Sequence, residues 1–297
     1  MAYLKLYTAV ILGCFLGYAS VGSAAETHSV KRPGLDRIQL VTDVQAITPG
    51  KTLTMGLILD PAEGFHTYWR GPGIVGVATT FEWTLPEGFS AGDVIWPPPE
   101  QTDMAGINAH GYRSETCLLI PIQIPEVIDT DTVTIAVKCA WMACANTCHP
   151  GIQEFSIELP VNKSGGPQKF DKDYRAKFKS IRSSVPPPAP KSWKISARLV
   201  TPETIKLKVA IPKLDNTKLE GIYFFCDDMQ VDSDAPQQVS LKRKDNDTLS
   251  LLLTRPDFAP KGPKDLSGVL YRPEGWPGLD SKWLEITAHW PTDTFQK

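Results

Sequence analysis

The chain has 297 residues, which is more than one small β-sandwich needs and fits two domains of medium size. Its formal net charge of -2 gives no electrostatic reason to expect nucleic acid or an anionic membrane surface as a partner. Its 26 prolines and 22 glycines, together with few long helical patterns, favour an all-β fold.

The N-terminus has the pattern of an export signal. A lysine near the start is followed by the apolar stretch LYTAVILGCFLGYASV and then by the small residues of GSAAE. This order predicts a signal peptide over residues 1–25, cleaved after Ala24 or Ala25, and export to the periplasm. The alternatives are an uncleaved membrane anchor and lipidation at Cys14, which follows ILG.

Residues 26–163 are predicted to form a first domain. Six segments in it are rich in β-branched and aromatic residues and are bounded by Pro, Gly or Asp, as strands are. The segments are RIQLVTDV, LTMGLILDP, TTFEWTLP, ETCLLIPIQIP, TVTIAVKCAW and QEFSIELPV. Short strands in this number, with turns between them, predict a β-sandwich. Two longer segments, EGFHTYWRGPGIVGVA and IWPPPEQTDMAGINAHGY, are predicted as loops that carry function.

Residues 164–192 are predicted to form a linker with one helix, and residues 193–297 a second, smaller β-sandwich. In the linker, the aromatic and apolar residues of QKFDKDYRAKFKSIRSSV recur at helical spacing, and PPPAP then predicts an extended, stiff spacer. The second domain has strand patterns such as KISARLV, TIKLKVAIP and GIYFFCDD. It has no catalytic constellation, which favours a structural or docking role.

The strand before the cysteine cluster separates Cys139 from the other cysteines. Val133, Ile135 and Val137 alternate along it in phase with Cys139 and Trp141. Because successive side chains of a strand point to opposite faces, this period of two points Cys139 into the core. We therefore predict that Cys139 is a small buried thiol.

Cys117 and Cys226 are also predicted to stay outside the chemistry. Cys117 lies on the face opposite to the apolar residues of its own strand. If residues 115–125 and 131–141 paired in one sheet, Cys117 and Cys139 would point to opposite sides, so we predict no disulfide between them. Cys226 follows IYFF in a strongly apolar strand and is predicted to be buried and inert.

Cys144 and Cys148 come where the strand pattern ends, in ACANTCHPG. Three intervening residues allow the separation of roughly 4.4–6.8 Å between Cα atoms that a disulfide requires. So short a loop constrains the unfolded chain little, and a tight pair at an exposed edge suits opening and closing. A protonated His149 next to Cys148 would lower the pKa of the thiol and speed exchange.

The spacing alone leaves three functions open for this pair: redox exchange, a structural disulfide and metal binding. A thioredoxin-type centre is disfavoured because it needs two intervening residues and a βαβ context. Zinc would need further ligands at suitable spacing, whereas copper(I) suits the soft and borderline side chains of this region. Those side chains are Cys144, Cys148, His149, Met142, Met104 and His110.

Five stretches, taken in order, resemble the N-terminal periplasmic domain of the DsbD and ScsB thiol:disulfide interchange proteins. They lie between residues 37 and 161 and are FHTYWRGPGIVGVATTFEWTLPEGF, GDVIWPPPE, GYRSETCLLIPIQIP, CAWMACANTCHPG and FSIELP. The second region resembles, through GIYFFCDD and LSGVLYRPEGW, the extra β domain of ScsB-like members. The resemblance implies an immunoglobulin-like β-sandwich that carries a redox cysteine pair.

By this resemblance the redox pair is Cys144 and Cys148. Trp141, ahead of the first cysteine, also fits the family pattern and is predicted, with His149, to modulate the pair. We assign Cys148, which adjoins His149, as the partner-facing thiol and Cys144 as the resolving thiol; the reverse order is the alternative.

In the family a loop rich in aromatic residues shields the pair until a partner docks. By resemblance the shielding residues here are Tyr68 and Trp69, with Tyr112 nearby. The alternative for these aromatic side chains is ordinary core packing.

The sequence therefore predicts thiol–disulfide exchange outside the cytoplasm, as a component of a protein-disulfide reductase. Electrons would pass from a separate membrane-embedded reductase to oxidised partner proteins, because the chain does not continue into the transmembrane helices and thioredoxin-like domain of full-length DsbD-type proteins. No metal or organic cofactor is expected. The alternatives are a non-enzymatic binding module with a structural disulfide and a copper(I)-handling protein that serves copper tolerance.

Overall fold

The structure, a computed structural model, describes residues 26–164, 166–214, 218–243, 247–262 and 265–291, together with the backbone of residues 20–22. The predicted cleavage site after Ala24 or Ala25 lies outside the described residues, as does Cys14. Within the described ranges, no helix has the length and apolar character that crossing a membrane requires.

The first half of the chain folds into a β-sandwich, as the strand patterns predict. Its strands are β1 (Ser20–Gly22), β2 (Val30–Arg32), β3 (Leu35–Thr42), β4 (Thr52–Pro61), β5 (His66–Gly73), β6 (Thr80–Thr84), β7 (Ser90–Ala91), β8 (Glu100–Met104), β9 (Ile107–Tyr112), β10 (Thr116–Gln123), β11 (Thr132–Cys144) and β12 (Cys148–Pro160). One sheet has seven strands in the order β1-β12-β11-β5-β9-β8, with β6 also paired to β11. The facing sheet has five strands in the order β2-β3-β4-β10-β7. Apolar side chains of both sheets form the core between them.

The two segments predicted as long loops are largely strands, so that prediction is wrong for β5, β8 and β9. Glycine, proline and polar residues hide the alternation in the sequence, and a register shift between Tyr68 and Gly73 breaks the pairing of β5 with β9. The pairing of β5 with both β9 and β11 supplies the backbone hydrogen bonds that the local pattern does not reveal.

The cysteines before the loop lie where their strand periods predict. Cys139 faces the sandwich core, and its burial alternates with that of exposed neighbours along β11. Cys117 points to the outer face of the five-stranded sheet. The assumption that these two strands pair in one sheet is wrong, because β10 and β11 belong to different sheets. The prediction of no disulfide between Cys117 and Cys139 is nevertheless confirmed.

One helix, α1 (Lys172–Ser184), covers the outer face of the five-stranded sheet, as the spacing in the linker predicts. Asp171 caps its N-terminus by accepting hydrogen bonds from the backbone N–H groups of Asp173 and Tyr174. Phe178 is fully buried in a small cluster with Cys117 and neighbouring apolar residues. Burial of this aromatic ring fixes the helix on the sheet.

The second sandwich follows the linker. Its strands are β13 (Lys194–Thr201), β14 (Thr204–Ile211), β15 (Tyr223–Cys226), β16 (Gln238–Lys242), β17 (Asp247–Thr254), β18 (Asp265–Tyr271) and β19 (Trp283–His289). They form a four-stranded sheet, β13-β14-β17-β16, and a three-stranded sheet, β15-β18-β19, around a separate apolar core. Cys226 is buried in that core, as predicted.

The second sandwich packs directly against β5 of the first. Arg70 on β5 forms ion pairs with Asp227 at 2.7 Å and with Glu285 at 3.2 Å. The ring of Trp69 contacts the ring of Phe225 edge to face, with 6.4 Å between the centroids. Polar and aromatic contacts thus join the two sandwiches along the strand that also borders the cysteine pair.

His110 on β9 lies inside this junction and makes stability depend on pH. Its Nδ1 donates to the carbonyl of Gly71 at 3.0 Å, and its Nε2 lies 3.1 Å from the Tyr223 hydroxyl. Burial lowers the pKa of His110 to about 4, whereas the hydrogen bond to Gly71 acts in the opposite direction. The folded state therefore keeps this imidazole neutral at pH values where the unfolded chain binds a proton.

We expect the free energy of unfolding to fall as the pH drops from about 6.5 to 4, by roughly 3 kcal/mol from His110 alone. Urea unfolding at pH 7, 5.5 and 4.5 measures it. A His110→Gln variant is the control, because it should be less stable at pH 7 but lose less stability on acidification. Equal losses in the two proteins would show that His110 does not cause the dependence.

Candidate functional site

The tip of the β11–β12 hairpin carries the cysteine pair. Cys144 and Cys148 are the last paired residues of the two strands, with 4.2 Å between their Cα atoms, and they form a disulfide. Their turn is held by a hydrogen bond from the Ala145 N–H to the Thr147 carbonyl at 3.0 Å. Cys144 is fully buried, whereas Cys148 is exposed. Cys148 is therefore open to a partner in solution, whereas Cys144 is not.

A histidine that the sequence reasoning missed lies beside Cys144. β11 pairs with β5 at the hairpin tip, and Cys144 is directly opposite His66. Paired residues of antiparallel strands point to the same face, so the two side chains are neighbours. His66 is buried, and its Nε2 has no hydrogen-bond partner among the described residues. The stretch FHTYW gave no signal for it, because the neighbour of His66 is set by pairing with a strand far along the chain.

Burial lowers the pKa of His66 to about 4. The positive charge of Arg113 lowers this pKa further, while the carboxylates of Asp103 and Glu100 act in the opposite direction. The imidazole is therefore neutral at pH 7 and can accept a hydrogen bond.

A small apolar cluster shields Cys144. Its buried members are Tyr68, Ala109 and Cys144, and its partly buried members are Val75, Met104 and Met142. The Tyr68 ring also contacts the ring of His66, with 5.0 Å between their centroids. Burial raises the pKa of Tyr68 to about 12, and its hydroxyl has no partner in the part of the chain that is described. Of the aromatic residues predicted to shield the pair, Tyr68 is the one placed against it.

Trp69 and Tyr112 lie elsewhere. Both are on strands rather than in a loop, and both belong to the main core of the first sandwich. Trp69 follows Tyr68 on β5 and so points to the opposite face. The hydroxyl of Tyr112 donates to the carbonyl of Pro97 at 2.8 Å. The structure does not bring these two rings to the disulfide.

His149 and Trp141, which are predicted to modulate the pair, lie on the opposite face of the hairpin from Cys144 and Cys148. Side chains alternate along β12, so His149 points away from the face that holds Cys148. Its ring contacts Phe65 at 5.5 Å between centroids, and its Nε2 lies 3.3 Å from the Thr147 hydroxyl.

Trp141 is buried in the core and lies across Gly151, its partner on β12. A Cβ atom at Gly151 would come within 2.3 Å of the Trp141 ring. This close approach explains why residue 151 is a glycine, and it allows the Trp141 ring to pack against the hairpin.

A cleft of about 400 Å³ opens beside the turn of the hairpin. Its walls include Phe65, His66, Asp103, Arg113 and Asn146. The cleft combines an aromatic wall with charges of both signs, and it reaches the hairpin turn between the two cysteines.

Residues 37–160 match the family described as thiol:disulfide interchange protein DsbD, N-terminal. This segment is therefore similar in sequence to DsbD N-terminal domains. Among solved structures, the N-terminal periplasmic domain of ScsB from Proteus mirabilis is similar over 90% of this chain and 99% of that chain, with 21% identity and a TM-score of 0.57. This likeness shows that the fold, including the second sandwich, is shared.

Two further solved structures match weakly. The collagen adhesin of S. aureus is 8% identical, covering 92% of this chain and 95% of that one, with a TM-score of 0.17. The C-terminal domain of the Streptococcus pyogenes antigen I/II-family protein AspA is 10% identical, covering 88% and 97%, with a TM-score of 0.19. A comparison with curated protein sequences gave no match.

The other cysteines of the described residues are unsuited to exchange. Burial raises the pKa of Cys117 and of Cys139 to about 12, and it raises the pKa of Cys226 well above the ordinary value. Because the thiolate is the nucleophile, these buried thiols are unreactive at neutral pH. Within the described ranges, Cys148 is therefore the one exposed cysteine.

The side chains suggested for copper(I) do not converge in the first sandwich. Met104 and Met142 lie near Cys144, but His110 is bonded to Gly71 and Tyr223 in the junction with the second sandwich. Among the described residues, no group of three or more His, Cys, Asp or Glu side chains is arranged to hold a metal ion.

Proposed function

We propose that the protein is a periplasmic thiol–disulfide exchange protein that passes electrons to oxidised partner proteins through Cys144 and Cys148. One observation carries the proposal: in a segment similar in sequence to DsbD N-terminal domains, the hairpin tip bears a short-range disulfide with one exposed and one buried cysteine. The periplasmic location rests on the export pattern of the N-terminus and on the likeness to a periplasmic domain.

The chemistry follows from the different exposure of the two sulfurs. In the reduced protein, the Cys148 thiolate attacks a disulfide of the partner, forms a mixed disulfide and releases one partner thiolate. The Cys144 thiolate then attacks the Cys148 sulfur, the mixed disulfide breaks, and the second partner thiolate leaves. Two electrons pass to the partner, whose two thiolates are protonated, and the disulfide between Cys144 and Cys148 forms again.

We propose a separate membrane-embedded reductase as the electron donor, as in the DsbD-type proteins that the chain resembles. The donor would reverse the same steps by attacking Cys148, the accessible sulfur of the pair. Electrons would then enter and leave through one pair, so donor and acceptor would dock at the same hairpin tip in turn.

The short loop that this disulfide closes disfavours a structural role. The hairpin is already paired without interruption from Thr132 and Pro160 to Cys144 and Cys148. A disulfide between residues four apart adds little constraint to the unfolded chain, about 2 kcal/mol at most. The fold therefore depends little on this bond, whereas the exposed sulfur makes it easy to open.

Equilibration of the protein with glutathione redox buffers tests the proposal. We expect the reduction potential of the pair to lie above about −300 mV, outside the range of structural disulfides. We also expect the reduced protein to reduce an oxidised cysteine-containing protein, and a Cys144→Ser, Cys148→Ser double variant to lack this activity. A potential below about −300 mV would sink the exchange function and favour the structural role.

A further inference from the structure

His66 and Cys144 form a buried pair across β5 and β11. They are directly opposite in the register, and their side chains share one face of the sheet. Cys144 is 0% exposed, so its thiol is kept from bulk water, whereas His66 is 2% exposed and lies at the wall of the cleft beside the hairpin. Any proton that leaves the Cys144 thiol must first go to a group inside the protein.

Within the described part of the chain, one ring nitrogen of His66 has no protein partner while the disulfide is closed. Its Nε2 is buried and has no partner among the residues described. Buried polar atoms of proteins are nearly always hydrogen-bonded, so an open one calls for an explanation. Reduction of the disulfide creates one new donor at this place, the S–H group of Cys144. Because the register places His66 opposite Cys144, Nε2 is the candidate acceptor for the hydrogen bond that reduction supplies.

We propose that His66 is the proton acceptor for Cys144 in the resolving step of exchange, an inference that rests on the proposed function. The Cys144 S–H donates to Nε2 of His66, and the proton moves to the imidazole as the Cys144 sulfur attacks Cys148. The bond between Cys148 and the partner breaks, the Cys144–Cys148 bond forms, and the partner leaves as a thiolate. The proton on His66 then passes to that thiolate or to solvent.

The charges around His66 are compatible with this role. Arg113 favours the neutral imidazole, while Asp103 and Glu100 favour the protonated one. Tyr68 contacts the ring at 5.0 Å between centroids and is uncharged at neutral pH. Negative charge that develops on the Cys144 sulfur adds a further anion beside the imidazole, which raises its affinity for the proton when it is needed.

The test uses the reduced full-length protein and 5,5′-dithiobis(2-nitrobenzoate), which releases one coloured thiolate in each of two steps. Attack by Cys148 gives the first release, and attack by Cys144 on the resulting mixed disulfide gives the second. We expect His66→Gln to slow the second step about 10-fold at pH 7 and to leave the first unchanged, because glutamine accepts a hydrogen bond but takes no proton. His289→Gln, at an exposed histidine on β19 of the second sandwich, is the matched control, with both steps unchanged.

The pH profile of the wild-type second step gives a readout that does not depend on how the variants fold. We expect its apparent pKa to lie below about 8.5, the ordinary value for a cysteine, and to rise in His66→Gln. A wild-type second step that follows an ordinary or raised thiol pKa, or equal slowing by His66→Gln and His289→Gln, would overturn the assignment of His66. Lack of any second release in the wild type would instead contradict the proposed function.

Discussion

Cys144→Ser should accumulate a mixed disulfide with an oxidised partner protein, and Cys148→Ser should form none. The reason is access, because Cys148 is exposed at the hairpin tip while Cys144 lies under Tyr68 and the methionines of its cluster. Without Cys144 the mixed disulfide cannot be resolved, so it persists. Without Cys148 the first attack is lost, and we expect exchange to fall by at least about 10³-fold.

Non-reducing electrophoresis and mass spectrometry of the reduced variants, mixed with an oxidised cysteine-containing peptide, measure both outcomes. Cys139→Ala is the matched control, since its thiol lies in the same strand as Cys144 but faces the core and carries a raised pKa. It should exchange at the wild-type rate. Equal trapping by Cys148→Ser and Cys144→Ser would show that the two sulfurs are reached equally well, contrary to their exposure.

The parts of this site that local sequence patterns specify were predictable. A period of two along β11 separates Cys139 and Trp141, which are buried in the core, from the residues at the end of the strand. Three residues between Cys144 and Cys148 suit the tight turn of an antiparallel hairpin, and the structure has the two bonded there. The helical period and the capping residue Asp171 in the same way specify α1.

The parts that depend on pairing between distant segments were not predictable from one sequence. His66 becomes the neighbour of Cys144 only because β5 pairs with β11, across almost eighty positions of the chain. Met104 shields the same sulfur from the end of β8, in a segment whose glycine and polar residues resemble a loop. Such contacts follow from the topology of the sheet, which the local pattern does not contain.

The linker also makes contacts that its local sequence pattern does not reveal. PPPAP predicts an extended spacer, and residues 186–190 are extended, but they lie along β19 rather than free between the domains. The Glu285 N–H donates to the Pro187 carbonyl at 2.8 Å, and the Ala189 N–H donates to the Glu285 carbonyl at 2.9 Å. Proline removes backbone donors from this segment, so it is suited to the edge of a sheet.

β5 connects the cysteine pair to the second sandwich. His66 and Tyr68 lie beside Cys144, and two residues further on Arg70 forms its ion pairs with the second sandwich. At the next residue, Gly71, the backbone of β5 comes close to the backbone of the second sandwich. A Cβ atom there would lie 2.0 Å from the carbonyl oxygen of Cys226, which is a backbone atom and cannot rotate away.

Gly71→Ala should therefore lower the free energy of unfolding by about 3 kcal/mol or more, because the two sandwiches must move apart to admit one methyl group. The movement would weaken the ion pairs of Arg70 and the hydrogen bond from His110 to the Gly71 carbonyl. Urea unfolding at pH 7 measures the change. Gly166→Ala is the matched control, since the nearest atom to its new Cβ is 3.6 Å away and we expect a change within about 0.5 kcal/mol. If Gly71→Ala were as stable as this control, the second sandwich would not be held against β5 as closely as the structure places it.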